Sequence, residues 1–177
     1  MNHRDIIIKL VKNKLKKKFG VEVGVWKGET TEKLLSKFGK LKMLCVDPYV
    51  VYSHYKKHHN LEVYSDQRMM DGLYVITKDE LVKKFKNRVW FIRDYSTRAA
   101  FAVEDGSADF VFLDANYGHD YVKDDIAAWY PKLRKGGVII GQNIDSNKDG
   151  PLCVKRAVEE VFGKNYKTMG RRWYHVK

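Results

Sequence analysis

The chain has almost no cysteine, no long apolar run and too few acids to balance its bases. Two cysteines in 177 residues, Cys45 and Cys153, exclude a disulfide framework, and Cys45 falls in a predicted buried strand, which suits a reducing compartment. No apolar stretch approaches the roughly 20 residues of a membrane span, and the start lacks the apolar core of a secretory leader. These absences predict no membrane partner and a cytoplasmic location, or the host cytoplasm for a viral chain. No internal repeat or low-complexity linker divides the sequence, so residues 1–177 read as one domain, long enough to bury a sizeable core. Against 34 Lys+Arg stand only 22 Asp+Glu, a net charge of +12. Such an excess favours acidic partners, nucleic acid or a phosphorylated compound among them. It is equally compatible with a solvated lysine surface, because the lysines are scattered. The densest cluster is Lys12, Lys14, Lys16, Lys17 and Lys18. It is predicted on a basic amphipathic helix over 1–18 that lies across the sheet edge, with Ile7, Leu10, Val11 and Leu15 on its other face.

What is present is concentrated in Phe19-Gly-Val-Glu-Val-Gly-Val-Trp-Lys-Gly-Glu-Thr-Thr31. A short strand (Val21, Val23, Val25) enters a turn with Gly24 and Gly28, then a helix opening at Thr30 or Thr31. Glu22 sits inside the strand, where a charge is costly without a partner. Twenty-three residues after Gly24, a second strand, Met43-Leu-Cys-Val46, ends on Asp47. Strand, glycine turn, helix, strand and acid is the layout of a nucleotide or nucleoside site, the glycines admitting the ligand and the acid gripping ribose hydroxyls. The spacing is Glu-x-Gly-x-x-x-Gly, not the Gly-x-Gly-x-x-Gly of a pyrophosphate site. A nucleoside without pyrophosphate fits better, and S-adenosylmethionine is such a nucleoside. The same spacing, with no Ser-Tyr-x-x-x-Lys signature, speaks against an NAD-dependent dehydrogenase.

Further strands are predicted at Val89–Ile92, Phe110–Leu113 and Val138–Ile140. Helices are predicted over Thr31–Phe38, from a capping box at Thr77-Lys-Asp-Glu80 through Phe85, and along Val122, Ile126, Trp129 and Leu133. A last helix opens at Asp149-Gly150-Pro151 with Val154, Val158, Val161 and Phe162 inward, and Tyr166–Lys177 reads as a hairpin broken at Gly170. Apolar strands alternating with helices predict a doubly wound α/β fold: a Rossmann-like sheet of about seven strands, mostly parallel, with a C-terminal antiparallel hairpin. Asp47, Asp94, Asp114 and Gln142-Asn143 then fall at strand carboxyl ends, on the ligand-binding rim. Residues 48–76 form an insertion, read as a lid over substrate with Tyr49, Tyr52 and Tyr55. His54 and His58 are four apart but lack the Glu of a zinc protease helix and are crowded by Lys56 and Lys57, so no metal is assigned to them or to His59. Trp26 is assigned to packing.

With these residues placed, the chain resembles a class I S-adenosylmethionine-dependent methyltransferase, and within that class methyltransferase family 24, from about residue 20 to the end. Glu22-Val-Gly24-Val25-Trp-Lys-Gly28-Glu-Thr-Thr31 resembles the first motif, whose turn meets the methionine part of the cofactor. Asp47 matches the ribose acid, and Asp94-Tyr95-Ser96 the segment beside the adenine. Asp114-Ala-Asn116-Tyr117-Gly-His119 resembles a family segment written Asp-Ala-Asn/Asp-His-Ser, and Trp129-Tyr-Pro-Lys-Leu-Arg-Lys-Gly136-Gly137 the run before the fifth strand. The resemblance implies binding of S-adenosylmethionine and its product S-adenosylhomocysteine. It departs at Gly141-Gln142-Asn143-Ile144, where the family often has Gly-His-Asp-Tyr, and at Tyr117, where it has His. In metal-dependent relatives an acid equivalent to Asp114 and an Asp-Asn pair hold a divalent cation. Asp114, Gln142 and Asn143 would make a poorer Mg²⁺ site.

Methyl transfer from a sulfonium is an in-line displacement with a neutral leaving group, so positioning supplies much of the rate. A hydroxyl acceptor must lose a proton, and Asp114 and His119 are the candidate bases, Tyr117 having an ordinary pKa near 10. The leading expectation is O-methylation of a small acceptor, a sugar or an acidic metabolite. The alternatives are ribose or cap methylation of nucleic acid and a non-catalytic cofactor-binding subunit. Base N-methylation is disfavoured, because the fourth strand ends Asp114-Ala-Asn-Tyr, not Asn/Asp-Pro-Pro-aromatic. A homo-oligomer, in which a second subunit completes the pocket, is also expected.

Overall fold

Strands that are apolar on both faces are stable only between two layers of helix, and that is the arrangement formed. The computed structural model describes residues 3–51, 66–147 and 150–177. Along them run α1 (His3–Val11), β1 (Phe19–Val23), α2 (Glu29–Lys37), β2 (Lys42–Val46), α3 (Gln67–Phe85), β3 (Val89–Ile92) and α4 (Ser96–Ala99). There follow β4 (Ala108–Leu113), α5 (His119–Trp129), β5 (Leu133–Gly141), α6 (Cys153–Phe162), β6 (Lys167–Met169) and β7 (Arg172–Val176). One seven-stranded sheet has the order β3-β2-β1-β4-β5-β7-β6. The first five strands are parallel, and β7 runs antiparallel to both β5 and β6. The expected Rossmann-like sheet with a terminal hairpin is the one observed.

Side-chain alternation divides the core. Val21, Val23, Leu44 and Val46 turn to one face and meet Ile126, Trp129, Val154 and Val158 of α5 and α6. Met43, Cys45, Phe110 and Phe112 turn to the other and meet Ile7 and Val11 of α1, Leu34 and Leu35 of α2, and Leu81 and Phe85 of α3. The strand order reverses between β1 and β4, and the crevice beyond their carboxyl ends is where an open sheet of this kind takes its ligand.

Three elements differ from the sequence expectation. The first helix stops at Val11, and Lys12–Lys18 are not helical. The buried Asp109 of β4 draws their backbone away: it accepts the N–H groups of Lys16 (2.9 Å), Lys17 (3.0 Å) and Phe19 (3.3 Å). It also pairs with Arg134 Nε at 2.6 Å, and Arg134 donates to the Lys14 carbonyl. Ile7 and Val11 are buried in the second core layer, so α1 packs into the body of the fold and does not lie across an edge.

The third helix starts at Gln67, ten residues before the supposed capping box, with the Asp66 side chain accepting Arg68 N–H at 2.8 Å. Thr77 is mid-helix and buried, and its hydroxyl donates to the Trp26 carbonyl at 3.1 Å. Tyr49 is 1% exposed and donates its hydroxyl to the same carbonyl at 2.7 Å, so it is a packing post beneath the glycine turn and not part of a lid. Tyr52, His54, Tyr55, His58 and His59 lie outside the described residues. The last helix opens at Cys153, past Gly150-Pro151, and Val161 is exposed where Val154 and Val158 are buried.

Candidate active site

The β1 turn is shaped by two glycines. Gly24 has φ +85°, and a Cβ there would fall 2.3 Å from the Asp114 carbonyl oxygen, so only glycine lets the turns after β1 and β4 approach. Gly28, at φ +67°, is the N-cap of α2 and has no side chain to satisfy that helix's first N–H groups. Glu22 does so from the neighbouring strand. Its Oε2 accepts Thr31 N–H at 3.0 Å and the Thr31 hydroxyl at 2.5 Å. This is how the strand tolerates an acid. Complete burial still dominates: it pushes the Glu22 carboxyl up to about 8, against the pull of the Thr31 hydrogen bonds.

Asp47, at the end of β2, pins the same turn. Its Oδ2 accepts Val25 N–H (2.9 Å) and Trp26 N–H (3.0 Å), and its Oδ1 accepts Tyr49 N–H (2.8 Å). Burial raises its pKa, and the three backbone donors oppose the rise. A carboxylate has about four acceptor positions, so about one remains for a ligand hydroxyl.

Beyond β4 lies a connected polar cluster. Tyr117 donates its hydroxyl to Asp114 Oδ1 at 2.5 Å, and Gln142, just past β5, donates its amide nitrogen to Asp114 Oδ2 at 2.6 Å. Arg172 of β7 donates to Gln142 Oε1 at 2.7 Å. A guanidinium only donates, so the Gln142 oxygen must face Arg172 and its NH₂ must face Asp114. Burial pushes Asp114 up to about 6, while the Tyr117 and Gln142 hydrogen bonds and the charges of Arg172 and Arg4 pull it down.

A second cluster lies past β3. Trp129 Nε1 donates to the Ser96 hydroxyl at 2.8 Å. Ser96 in turn is hydrogen-bonded to Asp125, a buried carboxyl of α5 pushed up to about 7 chiefly by desolvation. Asp94 accepts Tyr95 N–H at 2.7 Å and pairs with Arg98 at 3.3 Å.

These groups surround a cavity of about 840 Å³ at the carboxyl ends of β1, β2 and β4. Of the residues singled out in the sequence, Glu22, Gly24, Val25, Asp47, Tyr95, Ser96, Asp114 and Gln142 line it. Gly28, Thr31 and Asp94 stand behind the lining as caps and pins. Asn143 does not line it either; it adopts φ 53° and its carbonyl accepts Ser146 N–H at 2.8 Å. His119 is not brought to the cavity. Its ring lies between Asp120 Oδ1 (2.8 Å) and Glu160 Oε1 (2.9 Å), and these hydrogen bonds raise its pKa. The walls add Arg4, Met70, Tyr121 and Asp125, which no local motif announces, and Trp26, which the sequence assigned to packing.

The donor set does not suit a divalent cation. Asp114 is the one carboxylate among the three residues expected to hold it, Gln142 turns its NH₂ toward Asp114 with its oxygen held by Arg172, and Asn143 lies off the cavity. Among the described residues no three His, Cys, Asp or Glu side chains are grouped as metal ligands. The lining does suit a cationic nucleoside. Six carboxyl side chains (Glu22, Glu29, Asp47, Asp114, Asp124, Asp125) face three cations (Arg4, Lys27, Arg98); Arg4 is itself paired with Glu29, and Glu22 is held protonated by burial. The volume is within the range of small-molecule sites.

A family model for a methyltransferase domain, Methyltransf_24, matches residues 21–144, the stretch from β1 through β5 that carries the glycine turn, Asp47 and the Asp114 cluster. The chain belongs to this methyltransferase family. It is therefore a class I S-adenosylmethionine-dependent methyltransferase. No curated protein sequence matches it. Solved structures share the fold at low identity. A Staphylococcus aureus protein named provisionally as a caffeoyl-CoA O-methyltransferase superposes with TM-score 0.71 at 16% identity, over 98% of this chain and 82% of its own. A TDP-rhamnose 3′-O-methyltransferase of calicheamicin biosynthesis gives TM-score 0.59 at 13% identity, over 99% and 80%. Spermidine synthase from Thermotoga maritima gives 0.62 at 12%, over 99% of this chain and 59% of the synthase. Among the described residues of the methyltransferase no helix is long and apolar enough to cross a membrane.

Proposed function

We propose that this methyltransferase methylates a hydroxyl of a small acceptor such as a sugar, without a metal, and that Asp114 receives the hydroxyl proton. The observation that carries this reading is the Asp114–Tyr117–Gln142–Arg172 cluster on the wall of an acid-lined cavity. Structural relatives named as O-methyltransferases, one of them acting on a sugar nucleotide, are compatible with it.

S-adenosylmethionine, when bound, supplies an electrophilic methyl group on a cationic sulfur that becomes neutral on transfer. Everything else falls to the chain. Glu22, through Thr31, and Asp47, through Val25 and Trp26, hold the glycine turn that would meet the methionine end. Asp47 keeps about one acceptor position for a ribose hydroxyl. Asp125, steadied by Ser96, would meet the adenine end and accept from its exocyclic amine. Asp114, with a pKa of about 6, is largely ionised at neutral pH and close enough in basicity to take a proton in the transition state. Tyr117 and Gln142 fix its orientation, and each carboxylate oxygen retains a further lone pair for the acceptor hydroxyl.

The net charge of +12 is not expressed at this cavity, so it lends no support to nucleic acid as the methyl acceptor. The decisive experiment is radiolabelled methyl transfer to a panel of sugar, phenolic and nucleic-acid acceptors. Transfer to a small hydroxyl compound, lost in Asp114→Asn while S-adenosylhomocysteine binding stays within a few fold, supports the reading. Transfer to RNA ribose alone, or turnover that Asp114→Asn leaves intact, defeats it.

A further inference from the structure

The lysines that looked scattered in the sequence are gathered by the topology. In a parallel sheet every strand begins on the same rim, and the approaches to β1, β2 and β3 carry Lys17 and Lys18, Lys40 and the first β2 residue Lys42, and Lys86. All five are exposed, and none forms an ion pair with another described residue. Neighbouring strands are about 4.8 Å apart, so these charges crowd one corner at the amino ends of the strands, opposite the active site.

The corner is built, not loose. Asp109 and Arg134 anchor the backbone of Lys14, Lys16 and Lys17. Lys42 N–H donates to the Lys18 carbonyl at 2.8 Å, joining the first two loops. Arg88, beside Lys86, donates to the carbonyls of Leu35, Phe38 and Leu41 and ties in the third. Holding like charges together costs energy, and the buried Asp109 relieves only part of it.

Next to the lysines the sheet is thinly covered. The connection from β3 to β4 holds only the four-residue α4 and one 3₁₀ turn, too little to shield the edge strand. An apolar cavity of about 240 Å³ opens there, lined by Phe19, Leu44, Trp90, Ile92 and Val103, with Glu104 and Ser107 at its polar margin. Trp90 is 44% exposed, and Lys42 Nζ sits 5.8 Å from its ring centre. Phe101, next to the lining residue Ala102, is 88% exposed. Asp105, the other acid of this connection, is taken up by Lys132 at 2.6 Å, leaving Glu104 as the opposing charge.

We infer that this corner binds single-stranded nucleic acid, with phosphates on Lys18, Lys42 and Lys86 and a base stacked on Trp90 over the small cavity. Cationic tracks interleaved with exposed aromatic faces are the recognition chemistry of single strands. A recessed cavity admits a flat ring, and one protruding apolar side chain, Phe101, is too little apolar face to hold a bilayer. A second copy of the chain would bring like charges together. Glu104 offers a carboxylate acceptor to a base edge, and the Ser107 hydroxyl, which donates to the Glu104 carbonyl at 2.6 Å, offers a second acceptor. Because this rim lies opposite the methyl-transfer cavity, the nucleic acid is a tether or localising partner and not the acceptor.

Fluorescence anisotropy of a short labelled homopolymeric RNA with the full chain tests this, alongside a duplex of equal length and anionic vesicles. Single strands should bind preferentially, with affinity falling steeply as salt rises. Trp90→Ala should weaken binding about 5- to 100-fold, Trp90→Phe should restore most of it, and binding should quench tryptophan fluorescence. Replacing Lys18, Lys42 and Lys86 by Gln should lower the salt slope by about 0.7 for each phosphate no longer neutralised. Unchanged S-adenosylhomocysteine binding certifies that each variant is folded. No binding at low salt, binding indifferent to Trp90, preference for vesicles, or a dimer that Trp90→Ala dissociates would each overturn the proposal.

Discussion

Gln142 presents its amide nitrogen, not its oxygen, to Asp114, 2.6 Å from Oδ2, because Arg172 occupies the amide oxygen. In metal-dependent relatives this strand end is where a carboxylate and an amide oxygen would turn toward a cation. Here the amide supplies hydrogen-bond donation and the guanidinium behind it supplies positive charge. A metal-free site should be indifferent to chelators. Turnover measured with and without EDTA should agree within about twofold, and added Mg²⁺ or Mn²⁺ should not raise it. Loss of activity in chelator with recovery on adding metal would show that the cluster opens to bind a cation.

The same relationship sets the acid limb of the pH profile. Asp114 is held near 6 by opposing effects, burial raising it and Arg172 among the groups lowering it. As a base it must be ionised, so kcat/KM should fall as pH drops through about 6. Arg172→Met removes a lowering charge, so the limb should move to higher pH. A limb that stays in place would mean that another group limits the reaction.

His119 and Asp114 were indistinguishable as bases in the sequence. Both follow β4, and nothing local says which side chain turns to the cavity. Packing decides it, because α5 begins at His119 and its first turn lies against Glu160 of α6. His119→Ala should therefore leave turnover within about twofold of wild type, whereas Asp114→Asn removes it. A large loss of kcat in His119→Ala would return the histidine to the chemistry.

Elements written in local pattern were legible. The apolar strands, the glycine turn, the acids at strand ends and the Gly170 hairpin all follow from period and punctuation within a few residues. What depended on distant partners was not. The Thr77-to-Glu80 pattern imitates a helix start, but Thr77 answers to the Trp26 carbonyl 51 residues away, and Asp66 is the true cap. The lysine-rich stretch after Val11 keeps a helical apolar spacing, yet Asp109, more than 90 residues on, captures its backbone. Arg4, Asp125 and Arg172 reach the site from the first helix, the fifth helix and the last strand, so no motif could unite them.

Asp47 commits most of its hydrogen-bonding capacity to the turn after β1, and this makes its removal costly in two ways. Asp47→Ala leaves the Val25, Trp26 and Tyr49 N–H groups without their acceptor and removes the group proposed to meet the ribose. Losing a charged hydrogen bond costs about 1.5–3 kcal/mol, so S-adenosylhomocysteine affinity should fall about ten- to hundredfold by calorimetry. Asp47→Asn retains an acceptor oxygen for the turn and should keep part of the affinity. Equal binding by wild type and Asp47→Ala would remove this acid from the cofactor site.

Glu22 makes stability depend on pH in an unusual direction. Its folded pKa, about 8, lies above the ordinary 4.5, so between these values the native state holds a proton that the unfolded chain has released. Stability contributed by this group is complete below about pH 4.5 and is lost as pH rises toward 8. Asp114 and Asp125, raised to about 6 and 7, act in the same sense over narrower windows. Glu22→Gln copies the protonated form, and its side-chain oxygen can still accept both Thr31 donors. The variant should match wild type in thermal unfolding near pH 5, and melt several degrees higher near pH 8.5, where the wild-type carboxyl must ionise in place or unfold the strand around it. Equal melting temperatures at the alkaline end would show that Glu22 is charged in the folded protein and that the Thr31 hydrogen bonds outweigh its burial.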